Sequence, residues 1–152
     1  MNPYFRLQRM LGKEEGSSMV ELALVTPMMV LLLLAAIDFA RAYYLSMELV
    51  GAAHAGAEYG ITSHTDTAGM KAAAQADAPD VPNLSVTTPT WGCECSDGTG
   101  SSASCSSKPT CATNMVYWVK VKASSTYTTI YPWKGIPSQL TITQTATVRA
   151  GS

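Results

Sequence analysis

Charged residues are scarce in this chain. Of its 152 residues only 14% are Asp, Glu, Lys or Arg, and the formal net charge is −1, whereas an ordinary soluble domain carries about 25% charged residues. The near-neutral balance leaves no basic surface of the kind that binds nucleic acid. Because 47% of the residues are hydrophobic and the mean hydropathy is +0.09, a disordered chain is excluded as well. We therefore expect no nucleic-acid partner, and a plain soluble cytosolic domain is disfavoured.

Residues that carry catalytic or metal chemistry are also few. The two histidines, His54 and His64, are not accompanied by cysteines or carboxylates at metal-ligand spacing, which favours a solvated or capping role for both. The sequence has no phosphate-binding loop, no Ser-His-Asp order with supporting context and no free nucleophilic cysteine in a basic setting. We therefore predict a protein that is not an enzyme and has no cofactor and no metal.

What the sequence does contain is one long apolar run near the amino terminus. In Met19–Ile37, 16 of 19 residues are Ala, Val, Ile, Leu or Met. As a helix this run would rise roughly 28 Å, which is close to the hydrocarbon thickness of a bilayer. The rest of the chain holds no second apolar run that could bury it. A membrane-spanning helix is therefore favoured over the core helix of a soluble protein.

The charges beside the run predict its orientation. Basic flanks stay in the cytoplasm, so we expect the amino terminus inside and everything after the span outside. The alternative is a secretory signal peptide cut at the A-x-A sequence of residues 40–42. The length of the run and the helical pattern that continues through that site disfavour it. The basic residues before the run are Arg6, Arg9 and Lys13, and the first one after it is Arg41.

One carboxylate inside the run is the most unusual residue of the chain. Glu21 lies two residues into the apolar segment, and Gly16 stands five positions before it. A carboxylate in hydrocarbon costs a few kcal/mol and usually marks function. Since Glu21 is close to the end of the run, its side chain could instead reach the cytoplasmic headgroups. Both interpretations stay open.

This amino-terminal pattern resembles that of the type IV pilin and pseudopilin superfamily. A short basic leader, a glycine, a glutamate at the fifth position after it and a long apolar helix make up the resemblance. Within the superfamily the chain is most similar to the TadE-like family, the minor pseudopilins of the tight-adherence (Flp-type) pilus and secretion system. The matching features are Glu21, Pro27, Asp38 with Arg41, the small-residue segment 52–60 and, near the end, residues 146–149.

The resemblance implies a subunit that is processed and then assembled. A prepilin peptidase would cleave after Gly16 and leave Ser17 as the new amino terminus. Its α-amine is close to Glu21, and the amine of a neighbouring subunit could neutralise that carboxylate as helices stagger into a filament. The implied partners are other pilin-like subunits, the inner membrane and the prepilin peptidase.

The helical pattern continues beyond the apolar run. One helix over residues 17–60 would be roughly 66 Å long, far longer than a normal globular helix. Pro27 should kink it or free a carbonyl group. Asp38 and Arg41 are i,i+3 neighbours, and we expect them to form an ion pair where the helix leaves the membrane on its outer side.

Small residues line one side of the last part of this helix. Ala52, Gly56 and Gly60 follow one another at four-residue spacing, which lets another backbone approach closely. The partner is either the chain's own sheet, which we favour, or another subunit.

The remaining residues predict a small exported head. We expect a short helix over Thr67–Asp77. From Val81 onward 24 of 72 residues are Ser or Thr, which favours strands and turns. Alternating apolar and polar residues predict a half-buried antiparallel sheet whose apolar face meets the stalk helix. The predicted strands are Leu84–Thr88, Met115–Tyr127 and Leu140–Arg149, and Trp91, Trp118 and Trp133 are expected to pack in the core or at its rim.

Four cysteines lie in a Gly/Ser-rich loop between two of these strands. Outside the cytoplasm an even number of cysteines indicates disulfides, and three pairings are possible. We favour the nested pairs Cys93–Cys111 and Cys95–Cys105, because the loop must return between antiparallel strands. A zinc site is the alternative, but the spacing is not C-x2-C and no histidine is near.

These observations predict an α+β protein. A long amino-terminal transmembrane and stalk helix packs on a small antiparallel sheet that carries a disulfide loop, with a leader at residues 1–16, the helix at 17–60 and the head at 61–152. The expected function is that of a minor pseudopilin in the bacterial inner membrane, with its head outside, and on the pilus after assembly. The alternatives are a major filament subunit and a single-pass, membrane-anchored extracytoplasmic binding protein.

Overall fold

The computed structural model describes residues 15–103, 105, 109–112 and 114–151. The predicted leader lies outside them up to residue 14. The chain divides after Phe39 into two compact units, and one helix contributes to both.

Helix α1, Glu15–Thr62, contains 48 residues and ends two residues later than predicted. Its most apolar 18-residue window has a mean hydropathy of 2.4, and none of that window is buried. By length and composition this helix can cross a membrane. Pro27 lies inside it and cannot donate a backbone hydrogen bond. The hydroxyl of Thr26, the residue before Pro27, donates to the Leu22 carbonyl oxygen at 2.6 Å.

Helix α2, Thr67–Asp77, has the bounds that the sequence predicts. Asp66 caps it, because its Oδ1 accepts a hydrogen bond from the Gly69 backbone N–H at 2.9 Å. The Tyr59 hydroxyl at the end of α1 donates to Asp66 Oδ2 at 2.9 Å. These two bonds lower the pKa of Asp66 below its ordinary value, and the bond to Asp66 raises the pKa of Tyr59. The cap therefore links the two helices, and it weakens when acid protonates Asp66.

Five antiparallel strands form one sheet around a long central strand. Strand β4 pairs with β5 along its whole length on one edge and with β1 and β2 on the other, and β3 pairs with β2. The predicted strands are present with small differences at their ends. The sequence reasoning missed β2 and β3. The strands are β1 Ser85–Val86, β2 Thr90–Cys95, β3 Ser102–Ala103, β4 Met115–Thr128 and β5 Gln139–Gly151.

Strand β4 shows the alternation that positions the core. Val119, Val121 and Ala123 are buried, whereas Lys120 and Lys122 between them are exposed. The buried face packs with the second half of α1 and with α2 in a single apolar cluster. The predicted α+β architecture, a long apolar helix packed on a small antiparallel sheet with a disulfide loop, is therefore confirmed. The cluster includes Leu49, Ala52, Ala53, Ala57, Met70 and Ala74 from the helices.

The predicted nested disulfide pairing is wrong. The bonds are Cys93–Cys105 and Cys95–Cys111, with Cα–Cα distances of 5.3 and 5.4 Å. The neighbours of β2 explain this pairing. Strand β3 folds back on one edge of β2, so that Ser102 lies opposite Cys93 and Cys105 follows shortly after. On the other edge Met115 lies opposite Cys95, and Cys111 is four residues before it.

This pairing predicts a distinctive peptide map. Cleavage after Glu94, before Asp97 and before Lys108 separates all four cysteines from one another. The last cut needs a protease that acts on the amino side of lysine, because Pro109 blocks tryptic cleavage after Lys108. Mass spectrometry of the unreduced digest should join the Cys93 peptide to the Cys105 peptide, and the Cys95 peptide to the Cys111 peptide. A Cys93–Cys111 peptide would restore the nested pairing, and a Cys93–Cys95 peptide would contradict both.

Candidate assembly surface

The first half of α1 exposes large apolar side chains on all its sides. Met19, Leu24 and Leu32 have 77%, 72% and 70% of their surfaces accessible. A helix that is apolar all round requires an apolar environment, either other helices or lipid. This surface, residues 19–37, is the candidate assembly surface. Its other exposed members are Val20, Leu22, Val25, Met28, Met29, Val30, Leu31, Leu33 and Ile37.

Glu21 is exposed among these apolar side chains. The backbone of Gly16 and Ser17 belongs to the first turn of α1, while their side chains lie outside the described part of the chain. Since Ser17 and Glu21 are four residues apart on one helix, they lie on the same face, about one turn from each other. Pro27 is one and a half turns further along the same helix.

Asp38 and Arg41 lie just beyond the carboxyl end of the apolar run. Asp38 is only 6% exposed, which is unusual for a carboxylate. The Arg41 guanidinium carbon lies 5.5 Å from the centroid of the Tyr127 ring, within the range of a cation–π interaction. The predicted ion pair between Asp38 and Arg41 stays a prediction. The contact with Tyr127 joins α1 to the end of strand β4. The sequence did not predict this contact.

The small residues of α1 meet the chain's own head. Ala52 is fully buried. A Cβ atom built on Gly56 would lie 2.8 Å from the Met70 carbonyl oxygen, and one built on Gly60 would lie 2.6 Å from Val119 Cγ1. The structure therefore brings these positions against α2 and β4. Backbone and side chains approach so closely here that no larger residue fits without a shift.

A stacked aromatic cluster lies at the far end of the head. The His64 ring stacks on Tyr117 with centroids 4.7 Å apart and tilts against Trp91 at 4.8 Å. Sequence reasoning treated His64 as an isolated residue, because its two partners are 27 and 53 positions away along the chain. Only the return of β2 and β4 to the end of α1 brings the three rings together.

The outer face of the sheet carries a second feature that the sequence did not reveal. Glu94 on β2 is 7% exposed, and Arg149 Nε on β5 lies 2.5 Å from its Oε1. The ion pair reaches across β4, where Trp118 lies opposite Arg149 and Gly92. Gly92 is needed because a Cβ atom there would lie 2.6 Å from the Trp118 ring. Within the described residues no group of three or more His, Cys, Asp and Glu side chains could hold a metal ion.

The comparisons with known proteins concern the first helix alone. The family model described as TadE-like protein matches residues 16–58, so the resemblance seen in the sequence is confirmed over this segment. The match begins at the predicted cleavage glycine and ends within the small-residue face. No curated protein and no solved structure matches the chain.

The close approach at Gly56 predicts the effect of adding one methyl group. Alanine favours a helix over glycine by about 1 kcal/mol, but overpacking costs about 1 to 3 kcal/mol, and the atom that a new Cβ meets at Gly56 belongs to the backbone. We expect Gly56→Ala to lower the free energy of unfolding of the head by about 1 kcal/mol, measured by urea titration in detergent.

Gly51→Ala is the matched control. The single atom near a Cβ built there is Asp77 Oδ2 at 3.0 Å, the end of an exposed side chain that can move. This variant should gain up to about 1 kcal/mol. Equal changes in the free energy of unfolding of the two variants would contradict the packing argument.

Proposed function

We propose that this chain is a pilin-like structural subunit, a minor pseudopilin of a tight-adherence, type IV-related pilus or secretion system. One observation carries the proposal. The TadE-like match over residues 16–58 coincides with α1, whose first half exposes an apolar surface while its second half anchors a folded head. A helix with these two halves suits a subunit that is held in a bilayer and then packs against other helices.

The proposed location is the inner membrane, with the head outside the cytoplasm and on the pilus after assembly. Basic residues cluster before the apolar run, which favours a cytoplasmic amino terminus. Both disulfides of the head are typical of proteins that fold in an oxidising compartment.

The proposed assembly mechanism uses Glu21 and a new amino terminus. Cleavage by a prepilin peptidase after Gly16 would give Ser17 a free α-amine on the same helix face as Glu21. In hydrocarbon an unpaired carboxylate costs a few kcal/mol. The amine of an adjacent subunit would remove this cost only when the two helices are correctly staggered, so the pair would set the register while residues 19–37 supply the packing area.

Two alternatives remain as competing functions. The folded, disulfide-bonded head also suits a major filament subunit. A single-pass extracytoplasmic binding protein would use the same anchor without assembly. Abundance in filaments sheared from the cell surface separates a major subunit from a minor one.

Cleavage gives the first prediction of the proposal. The intact mass of the chain purified from membranes should correspond to residues 17–152, because removal of the leader creates the amine that assembly requires. A chain that begins at Tyr43 would indicate a signal peptide, and one that retains Met1 would indicate a simple anchor. Either result contradicts the proposal.

Replacing Glu21 tests registration. We expect Glu21→Ala to insert normally but to reach sheared surface filaments at about one tenth of the wild-type amount or less, since losing 1.4 kcal/mol of association free energy lowers an association constant about tenfold. Glu58→Ala is the matched control: the same substitution on the same helix at an exposed position outside the apolar run. Normal filament amounts for Glu21→Ala would refute the registration mechanism.

A further inference from the structure

The hairpin between β4 and β5 ends in an unusually apolar tip. Ile130 and Ile136 are each 51% exposed and Tyr131 is 40% exposed. The Trp133 ring meets Tyr131 edge-on at 4.9 Å, and Lys134 beside it is exposed. None of these residues belongs to the apolar cluster that holds the head together. The tip therefore presents apolar and aromatic surface outside the core of the head.

Two contacts show at which end of the head this tip lies. Further from the tip, the Gln144 side-chain amide donates to the Ser46 hydroxyl at 2.7 Å. Nearer to the tip, Arg41 lies over Tyr127, the residue before the last one of β4. From the first contact to the second, α1 is traced backward, from Ser46 to Arg41. Strand β4 is traced forward, from Ala123, which pairs with Gln144, to Tyr127 near the tip. The tip therefore lies at the end of the head where α1 enters it, the Arg41 end.

The other two tryptophans lie at the opposite end of the head. Trp91 packs with His64, which is two residues beyond the end of α1. Trp118 lies over Gly92, the neighbour of Trp91. Along α1, its last residue Thr62 is 21 residues beyond Arg41, about 32 Å at the rise of an α-helix. Trp133 is thus the tryptophan at the Arg41 end of the head.

The residue types of the tip are those that bind a membrane interface. Trp and Tyr concentrate at the level of the lipid headgroups, where their rings are half in an apolar and half in a polar environment. Isoleucine side chains gain free energy by entering the acyl region, and a lysine is attracted by anionic headgroups. Arg41, which lies over Tyr127 of the hairpin, is four positions after Ile37, the last residue of the apolar run.

We propose that this tip, residues 130–136, inserts into the outer headgroup region of the bilayer that α1 spans. The head would then hold the membrane at two points, the helix and the hairpin tip. Both contacts must be released before the subunit leaves the bilayer for a filament. The inference rests on the membrane anchoring in the proposed function and goes beyond it by giving the head its own lipid contact.

Quenching by brominated lipids tests the proposal on the full chain. The protein is reconstituted at high dilution into phosphatidylethanolamine–phosphatidylglycerol vesicles whose acyl chains are brominated near the headgroup, and vesicles are isolated by flotation. We expect the brominated lipid to quench part of the tryptophan emission. The quenched part should equal the emission that Trp133→Phe removes, so that Trp133→Phe protein shows no further quenching and Trp91→Phe protein is quenched as wild type is.

A second pair of variants tests the role of the isoleucines. Ile130→Ser combined with Ile136→Ser should reduce quenching at least about twofold while the circular dichroism spectrum stays unchanged, because the substituted side chains are exposed and lie outside the core. Ile61→Ser is the matched control: it removes the same side chain at a 38% exposed position at the far end of the stalk.

The outcomes separate the two levels of the proposal. Protein that does not float with the vesicles would refute the membrane anchor and the lipid contact together. Protein that floats but is not quenched, or is quenched equally after Trp133→Phe, would refute the lipid contact and leave the anchor intact. At high dilution a second copy of the chain cannot cover the tip, so quenching there supports lipid as the occupant.

Discussion

The close approach of α1 to α2 and β4 at Gly56 and Gly60 is the contact on which the head depends. At these positions a side chain of even one carbon would meet the Met70 carbonyl oxygen or Val119. Such proximity lets one helix serve two environments. Its second half is covered by the head, and its first half keeps large apolar side chains exposed. The absence of side chains is thus as important to the architecture as the presence of apolar ones.

The head itself is small, and its stability comes from three different sources. Strand β4 pairs along both edges and carries the buried face of the sheet. Asp66 fastens α2 to the end of α1 through the Tyr59 hydroxyl and the Gly69 N–H. The two disulfides hold β2 to two points of the segment between β3 and β4, Cys105 and Cys111. Disulfide crosslinks commonly supplement the core of a small exported domain.

The sequence predicts some elements well because their signals are local. The apolar run of α1, the bounds of α2 and the alternation in β4 and β5 can each be read from neighbouring residues. Strand β2 was not predicted because Gly92 and its two cysteines are typical of loops. Its strand conformation depends on pairing with β3 and β4 at its edges. The disulfide prediction was wrong for the same reason: the edge of β2 that each segment joins determines which cysteine it meets.

The sequence by itself determined the long apolar helix, the small-residue face and an antiparallel sheet with a disulfide loop. These follow from composition and periodicity, which act over a few turns or a few strand residues. Only the tertiary structure decided that Gly56 and Gly60 face α2 and β4. It also decided that Glu94 pairs with Arg149 and how the cysteines pair. The position of the 130–136 tip at the Arg41 end of the head is likewise a result of the tertiary structure. Each of these depends on strand register and chain return between residues far apart in sequence, and local patterns carry no information about which distant segments meet.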